Sequence, residues 1–383
     1  MNSQNKLYLH MGTPKTGSTS IQFFLAENTD ILEKQGYVFP DMKNIFYGID
    51  GYNKIDWEEN AHCNGNILLD AYATSVLKRS KKDFEEFLDH LFPDLREVYE
   101  EKIPSNTQDL DDVIEYLNGL LEKSNVILSS ENLWTISYDY LKILAAGIGK
   151  DRICPVIYLR RQDYYAESLW NEVVKVSVET RSVEDYYDYL RNDPADSHGI
   201  KYLRRLDELA SILDPSTFII RAYEKERFAP GKSSLSHDFL EAIGVDFDGF
   251  EWNKPKKIVN GHLDGNSVEL KRIFNEFIIP KAKEEGKLPS KSSLAQKYDD
   301  CFLKGSLNGK SSNGHENEYY FEPYFRKNIL DQVKEENLNV ASKYLKGEDD
   351  LFMDKEYDRA STLKRMTKDE ESRMRIILSM LAK

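Results

Sequence analysis

Leu7-Tyr8-Leu9-His10-Met11-Gly12-Thr13-Pro14-Lys15-Thr16-Gly17-Ser18-Thr19 is the stretch that decides the fold. Its first five residues form a short apolar run, the mark of a buried strand. A glycine-bearing loop follows. Then Ile21, Phe24, Leu25, Ile31 and Leu32 recur at helical spacing and predict one amphipathic helix, with Gly36 at its C-cap. A buried strand, a glycine loop and a helix in that order make an anion site. Loop N–H groups and the positive end of the helix dipole face the same point.

The pattern repeats outward. Val126–Ser130, Pro155–Arg160 and Thr217–Tyr223 are further buried-strand runs, and Tyr37–Pro40 is a weaker one. Tyr165, Leu169, Val173 and Val176 predict a helix after Arg160. Alternating strands and helices imply an α/β fold with a central parallel sheet flanked by helices. Ligands then bind at the carboxyl ends of the strands. Residues 1–40 and 126–250 supply this core, 41–125 a helical insertion and 251–383 a helical C-terminal region, all within a single domain. The Gly/Ser/Asn-rich stretch 303–317 reads as a mobile loop, with helices over 321–346 and 355–381.

The chain has 383 residues and a formal net charge of −14. Residues 81–123 hold thirteen acids against five bases, so more than half of that excess sits on one predicted helical surface. The balance excludes a general nucleic-acid polymer as partner but leaves room for a small basic pocket. Cys63, Cys154 and Cys301 are too few and too scattered for a disulfide framework or a zinc site, and the histidines form no metal-spaced cluster. No metal is expected. No run reaches the ~18 apolar residues of a membrane span, and Leu7–Met11 is too short for a signal-peptide core. A cytoplasmic protein is the expectation.

A nucleotide-hydrolysing P-loop reads G-x-x-x-x-G-K-[ST]. Gly12, Gly17 and Thr19 match it, but Ser18 stands in the lysine position and the lysine has moved to Lys15. The expected fold is a P-loop-type three-layer one, and Ser18 in the lysine position disfavours a P-loop kinase. Pro14-Lys15-Thr16-Gly17-Ser18-Thr19 resembles the 5′-phosphosulfate loop of sulfotransferases, which use 3′-phosphoadenylyl sulfate (PAPS) as donor and release PAP. Arg160 and Ser168 resemble the family's 3′-phosphate pair, an arginine ending a strand and a serine eight residues on. Residues four apart share a helix face, and a guanidinium with a hydroxyl suits a phosphate monoester. Arg221-Ala222-Tyr223-Glu224 resembles the segment that helps hold adenine. His237-Asp238-Phe239-Leu240 with Ile243-Gly244-Val245 resembles another family landmark. Asn337–Leu345 with Leu351-Phe352 resembles the ending of bacterial members thought to act on carbohydrates. Two departures, Ser20 where small-molecule enzymes stack an aromatic on adenine and the lack of an Arg-Lys-Gly loop, point to that carbohydrate branch.

Sulfuryl transfer needs an in-line hydroxyl, a base for its proton and positive charge at the leaving phosphate. By resemblance Lys15 supplies charge, and Glu131, at the end of the third strand, is the base. A Glu there can also simply favour a helix N-terminus. His62, inside the insertion, is the second candidate. His10 reads as packing. Trp170, Tyr186, Tyr187 and Tyr189 are read as core or half-buried rings rather than a sugar platform. The expected acceptor is a hydroxyl of a carbohydrate, glycoconjugate or small molecule. A non-catalytic nucleotide-binding protein of the same fold and a P-loop kinase are the alternatives.

Overall fold

The protein's structure is a computed structural model. It describes residues 4–41, 63–89, 96, 99–100, 103, 108–228, 234–253, 265–298, 320–345, 348–353 and 367–381. Two compact units emerge: Met1–Arg161, Ala195–Val259 and Glu335–Phe352 form the first, and Gln162–Pro194, Asn260–Lys334 and Met353–Lys383 the second.

The first unit carries a parallel sheet of five strands: β1 (Leu7–Gly12), β2 (Tyr37–Val38), β3 (Asn125–Ser129), β4 (Ile153–Leu159) and β5 (Ile219–Ala222). Their order is β2-β3-β1-β4-β5. All pairings are parallel, with His10 opposite Ser129 and opposite Val156. The chain leaves β1 toward one edge and later passes β1 to build the other. The crevice at the strand carboxyl ends opens where such windings part.

Period-two alternation gives the sheet two apolar faces. Leu7, Leu9, Met11, Val126, Leu128, Ile157 and Leu159 pack into one core; Ile127, Val156 and Tyr158 pack into the other with Ile21, Phe24, Leu25 and Phe239. Helices cover both faces, which gives the three layers of a P-loop-type α/β fold. The ending motif is explained by packing. Val340, Ala341, Leu351 and Phe352 are buried in the first core, and Tyr344 stacks on Phe218 with ring centroids 6.2 Å apart.

The predicted helix after β1 is two helices, Ser18–Ala26 and Thr29–Lys34. Asn28 separates them. Its buried amide donates to the Phe24 carbonyl at 2.7 Å and to the Asn253 carbonyl at 3.0 Å, and accepts from the Asn253 N–H at 2.7 Å. Asn side chains that bond backbone in this way compete with helix continuation. Gly36 follows the second helix at φ +78°.

In the insertion, helices span Asn66–Arg79, Lys81–Asp89 and Leu110–Leu121. Asp109 starts the third with a reciprocal capping box to Asp112 and a 2.7 Å ion pair with Lys78. Its apolar face is buried while Asp111, Asp112 and Glu115 face solvent, so this part of the acid-rich stretch is a solvated helix surface.

The second unit is helical: Gln162–Lys175, Val183–Asn192, Gly265–Glu285, Ser293–Tyr298 and Lys368–Leu381, with the first half of Pro323–Tyr344. On Gln162–Lys175 the buried residues include Tyr165, Leu169 and Val174. Val173 is half-buried and Val176 lies past the helix end. Residues 42–62, 299–319 and 354–366, with His62, Cys301 and the stretch 303–317, lie outside the described residues.

Candidate active site

The loop after β1 folds by three left-handed residues: Gly12 at φ +80°, Lys15 at φ +66° and Gly17 at φ +79°. Lys15 is the informative one. A side chain in this region costs on the order of 1–3 kcal/mol and persists where surroundings over-determine it. Here they do. The Arg160 guanidinium donates Nη1–H to the Lys15 carbonyl at 2.7 Å. Thr16 Oγ1 donates to the Thr13 carbonyl at 2.6 Å. Thr13 donates its N–H and its hydroxyl to the Tyr158 carbonyl at 2.8 and 3.1 Å.

Gly17 is the N-cap of the helix Ser18–Ala26 and offers no side-chain cap. The first N–H groups of that helix are left for something else to satisfy. Ser18 stands at this end, buried, and its hydroxyl has no hydrogen-bond partner among the described residues. Orphaned buried hydroxyls call for an explanation such as a ligand. Pro14, Lys15 and Thr19 are half-buried around it, Thr16 is buried and Ser20 is exposed.

Neighbouring strand ends converge on this loop. A Cβ at Gly17 would lie 2.6 Å from Leu235 Cδ2, so the glycine, at φ +79°, admits Leu235 against the loop, with the Tyr223 hydroxyl in ordinary contact at 3.5 Å. The Arg160 guanidinium carbon lies 5.7 Å from the Tyr223 ring centroid, within cation–π range. Glu131 stands after β3. A Cβ at Gly12 would be 3.1 Å from Glu131 Cβ, so the glycine admits the Glu131 backbone against the loop. Glu131 opens the short helix Asn132–Thr135, yet its side chain makes no capping bond there. Lys15, Gly17, Arg160, Tyr223 and Glu131 therefore surround the carboxyl ends of β1, β3, β4 and β5.

Below the loop runs a polar chain absent from the sequence reading. His10 Nδ1 lies 2.7 Å from Ser129 Oγ, which accepts from Gln22 Nε2 at 3.1 Å. Gln22 Oε1 accepts from Cys63 Sγ at 3.1 Å. Burial first, then the Glu131 carboxylate, push the Cys63 thiol up to about 12. The 63–66 turn sits beside Glu131 because both chain neighbours of Glu131, Ser130 and Asn132, donate to Asn66 Oδ1. Buried Asn64 replaces a strand neighbour for β3: it donates to the Ile127 and Pro40 carbonyls at 3.0 and 3.1 Å and accepts from the Ser129 N–H at 2.7 Å. No local sequence signal marks it, since its partners Ile127 and Ser129 lie far along the chain.

His10 is packing, edge-on to Phe239 at 5.2 Å, and burial pushes its imidazole from 6.5 down to about 3. The sign follows by linkage. Stability from keeping this ring neutral is present above pH 6.5 and lost as pH falls toward about 3. The urea midpoint of His10→Asn is expected to fall less with acidification over that window than the parent's. Parallel slopes would exclude His10 as the source.

Ser168 belongs to the second unit. It is buried on Gln162–Lys175, and its hydroxyl has no hydrogen-bond partner among the described residues. On the same helix Asp163 and Glu167 both bind buried Arg326, Asp163 at 2.7 Å. Burial pushes the Glu167 carboxyl up to about 7, against the pull of Arg326. Trp170, Tyr186 and Tyr187 are buried. Tyr189 is 41% exposed and lies under the Arg181 guanidinium at 3.8 Å.

No family model matches the chain, and no curated protein matches it. Solved structures that resemble it include the following three. The sulfotransferase domain of the Synechococcus PCC 7002 olefin synthase is 15% identical, over 71% of this chain and 90% of that one, with a TM-score of 0.35. A sulfotransferase from Alicyclobacillus acidocaldarius is 12% identical, over 74% and 95%, with a TM-score of 0.36. The sulfotransferase domain from the curacin biosynthetic pathway is 11% identical, over 78% and 98%, also at 0.36.

Among the described residues no group of His, Cys, Asp and Glu is placed to hold a metal, and no helix is long and apolar enough to cross a membrane.

Proposed function

We propose that this chain is a sulfotransferase that moves a sulfuryl group from PAPS to a hydroxyl of a carbohydrate or glycoconjugate. One observation carries the reading: four adjacent strand ends bring a left-handed Lys15 loop, an uncapped helix start with an orphaned Ser18 hydroxyl, Arg160 over Tyr223, and Glu131 into one constellation. These donors fit a nucleotide carrying phosphates. Pro14–Ser20 would hold the 5′-phosphosulfate end, Arg160 the 3′-phosphate and Tyr223 the adenine side; Ser168 is assigned to the 3′-phosphate by the sequence resemblance alone.

When bound, PAPS supplies the sulfuryl group and departs as PAP. Glu131 takes the proton of the acceptor hydroxyl while the acceptor oxygen bonds sulfur and the sulfur–oxygen bond to phosphate breaks. Lys15 and the helix N–H groups stabilise the charge left on the phosphate. His62 is the alternative base. The setting proposed is cytoplasmic, and the partner is a glycan or small hydroxylated molecule rather than a nucleic-acid polymer.

Thermal melts test the donor. PAP at a hundred times its Kd is expected to stabilise the protein by about 2.7 kcal/mol, and ATP with magnesium much less. Lys15→Ala is expected to reduce the PAP shift. No shift with millimolar PAP sinks the reading, and a larger shift with magnesium ATP favours a kinase.

A further inference from the structure

We propose that Asn66 and Asn132 form an acceptor subsite beside Glu131, binding the hydroxyl next to the one that reacts, so that the acceptor carries two neighbouring hydroxyls. This inference rests on the sulfotransferase reading and extends it to a part of the site that the donor does not use.

Asn66 begins the helix Asn66–Arg79, and Asn132 directly follows Glu131. Two donors converge on Asn66 Oδ1: the Ser130 hydroxyl, and Asn132 Nδ2 at 3.3 Å. Ser130 Oγ in turn accepts from the Asn132 N–H at 3.2 Å. In this arrangement the Asn66 amide presents its oxygen to both donors. Its NH2 is thereby turned away from both, and no hydrogen bond from it occurs among the described residues; the same holds for Asn132 Oδ1. Both residues are half-buried.

The result is one spare donor on Asn66 and one spare acceptor on Asn132, two residues joined by a hydrogen bond, with Asn132 next to Glu131 in the chain. A hydroxyl is both donor and acceptor, so such a pair engages one hydroxyl fully. Glu131, the proposed base, follows Ser130 and precedes Asn132 in the chain and would take the proton of the neighbouring hydroxyl. The frame is rigid. A Cβ at Gly65 would lie 2.8 Å from the Ser129 carbonyl carbon, so the turn carrying Asn66 is pressed against β3. The Ser130 N–H donates to the His10 carbonyl at 3.0 Å, which ties the same segment to β1. Pre-set polar groups discriminate strongly against an acceptor lacking the matching hydroxyl, because they would then be left unpaired.

The test uses full-length protein saturated with PAP, titrated by NMR with methyl pyranosides and their monodeoxy counterparts. At least one intact pyranoside is expected to bind, and its deoxy form at the neighbouring carbon about tenfold more weakly or worse. Asn66→Asp keeps the oxygen that Ser130 and Asn132 bond and removes the NH2. It is expected to weaken that pyranoside about tenfold while PAP affinity is retained. Asn132→Ala is expected to act in the same direction and carries the test if Asn66→Asp fails to fold. Unchanged sugar affinity in PAP-competent variants, or no pyranoside binding to the PAP-loaded parent, overturns the subsite. Failure of the parent to bind PAP overturns the sulfotransferase reading, and the subsite with it.

Discussion

Asp238→Ala is expected to lower the stability of the protein by about 3 kcal/mol. Asp238 is fully buried and accepts from the Tyr158 hydroxyl on β4 at 2.7 Å and from Arg221 Nε on β5 at 3.1 Å. Removing one partner of a buried pair typically costs about 3–5 kcal/mol, because the other charge stays behind. Arg221 retains 34% exposure of its side chain, so water can rescue it in part and the low end applies. The Tyr158 hydroxyl is fully buried and loses its acceptor. Urea unfolding at neutral pH measures the change. A loss under about 1 kcal/mol would show that Tyr158 and Arg221 find other partners. The helix Leu235–Ala242 that carries Asp238 also presses Leu235 toward Gly17, so PAP affinity should fall with stability.

Glu131→Gln is expected to reduce sulfuryl transfer by about 10²–10⁴-fold, the usual worth of a positioned general base. Glutamine keeps the size and removes the proton acceptor. PAP affinity should be retained, since the Gly12 contact is made by the Glu131 backbone and Cβ, which glutamine also has. Transfer of labelled sulfate to the best acceptor from a glycan screen gives the rate. Turnover within a factor of a few of the parent would move the base to His62.

Strand positions were legible because each β-run is continuous, apolar and bounded by polar residues. Boundaries slipped by one or two residues. β4 begins at Ile153 rather than Pro155, and β5 begins at Ile219, behind a 3-10 turn at Pro215–Thr217. The break at Asn28 was not legible, since it depends on Asn253, far along the chain. The Lys15 loop could be read because glycines mark left-handed backbone locally. Gln22, Asn64 and Asn66 could not. Their partners Ser129, Ile127 and Ser130 lie more than sixty residues away on β3 or just past its end, and no local pattern encodes such a pairing.

Lys15 holds a left-handed backbone that glycine would adopt without penalty. Selection in the laboratory should therefore divide at this codon. A library screened for resistance to unfolding would enrich glycine at 15. One screened for turnover would retain lysine. Position 15 is a place where the chain gives up some robustness in exchange for a cation at the mouth of its loop.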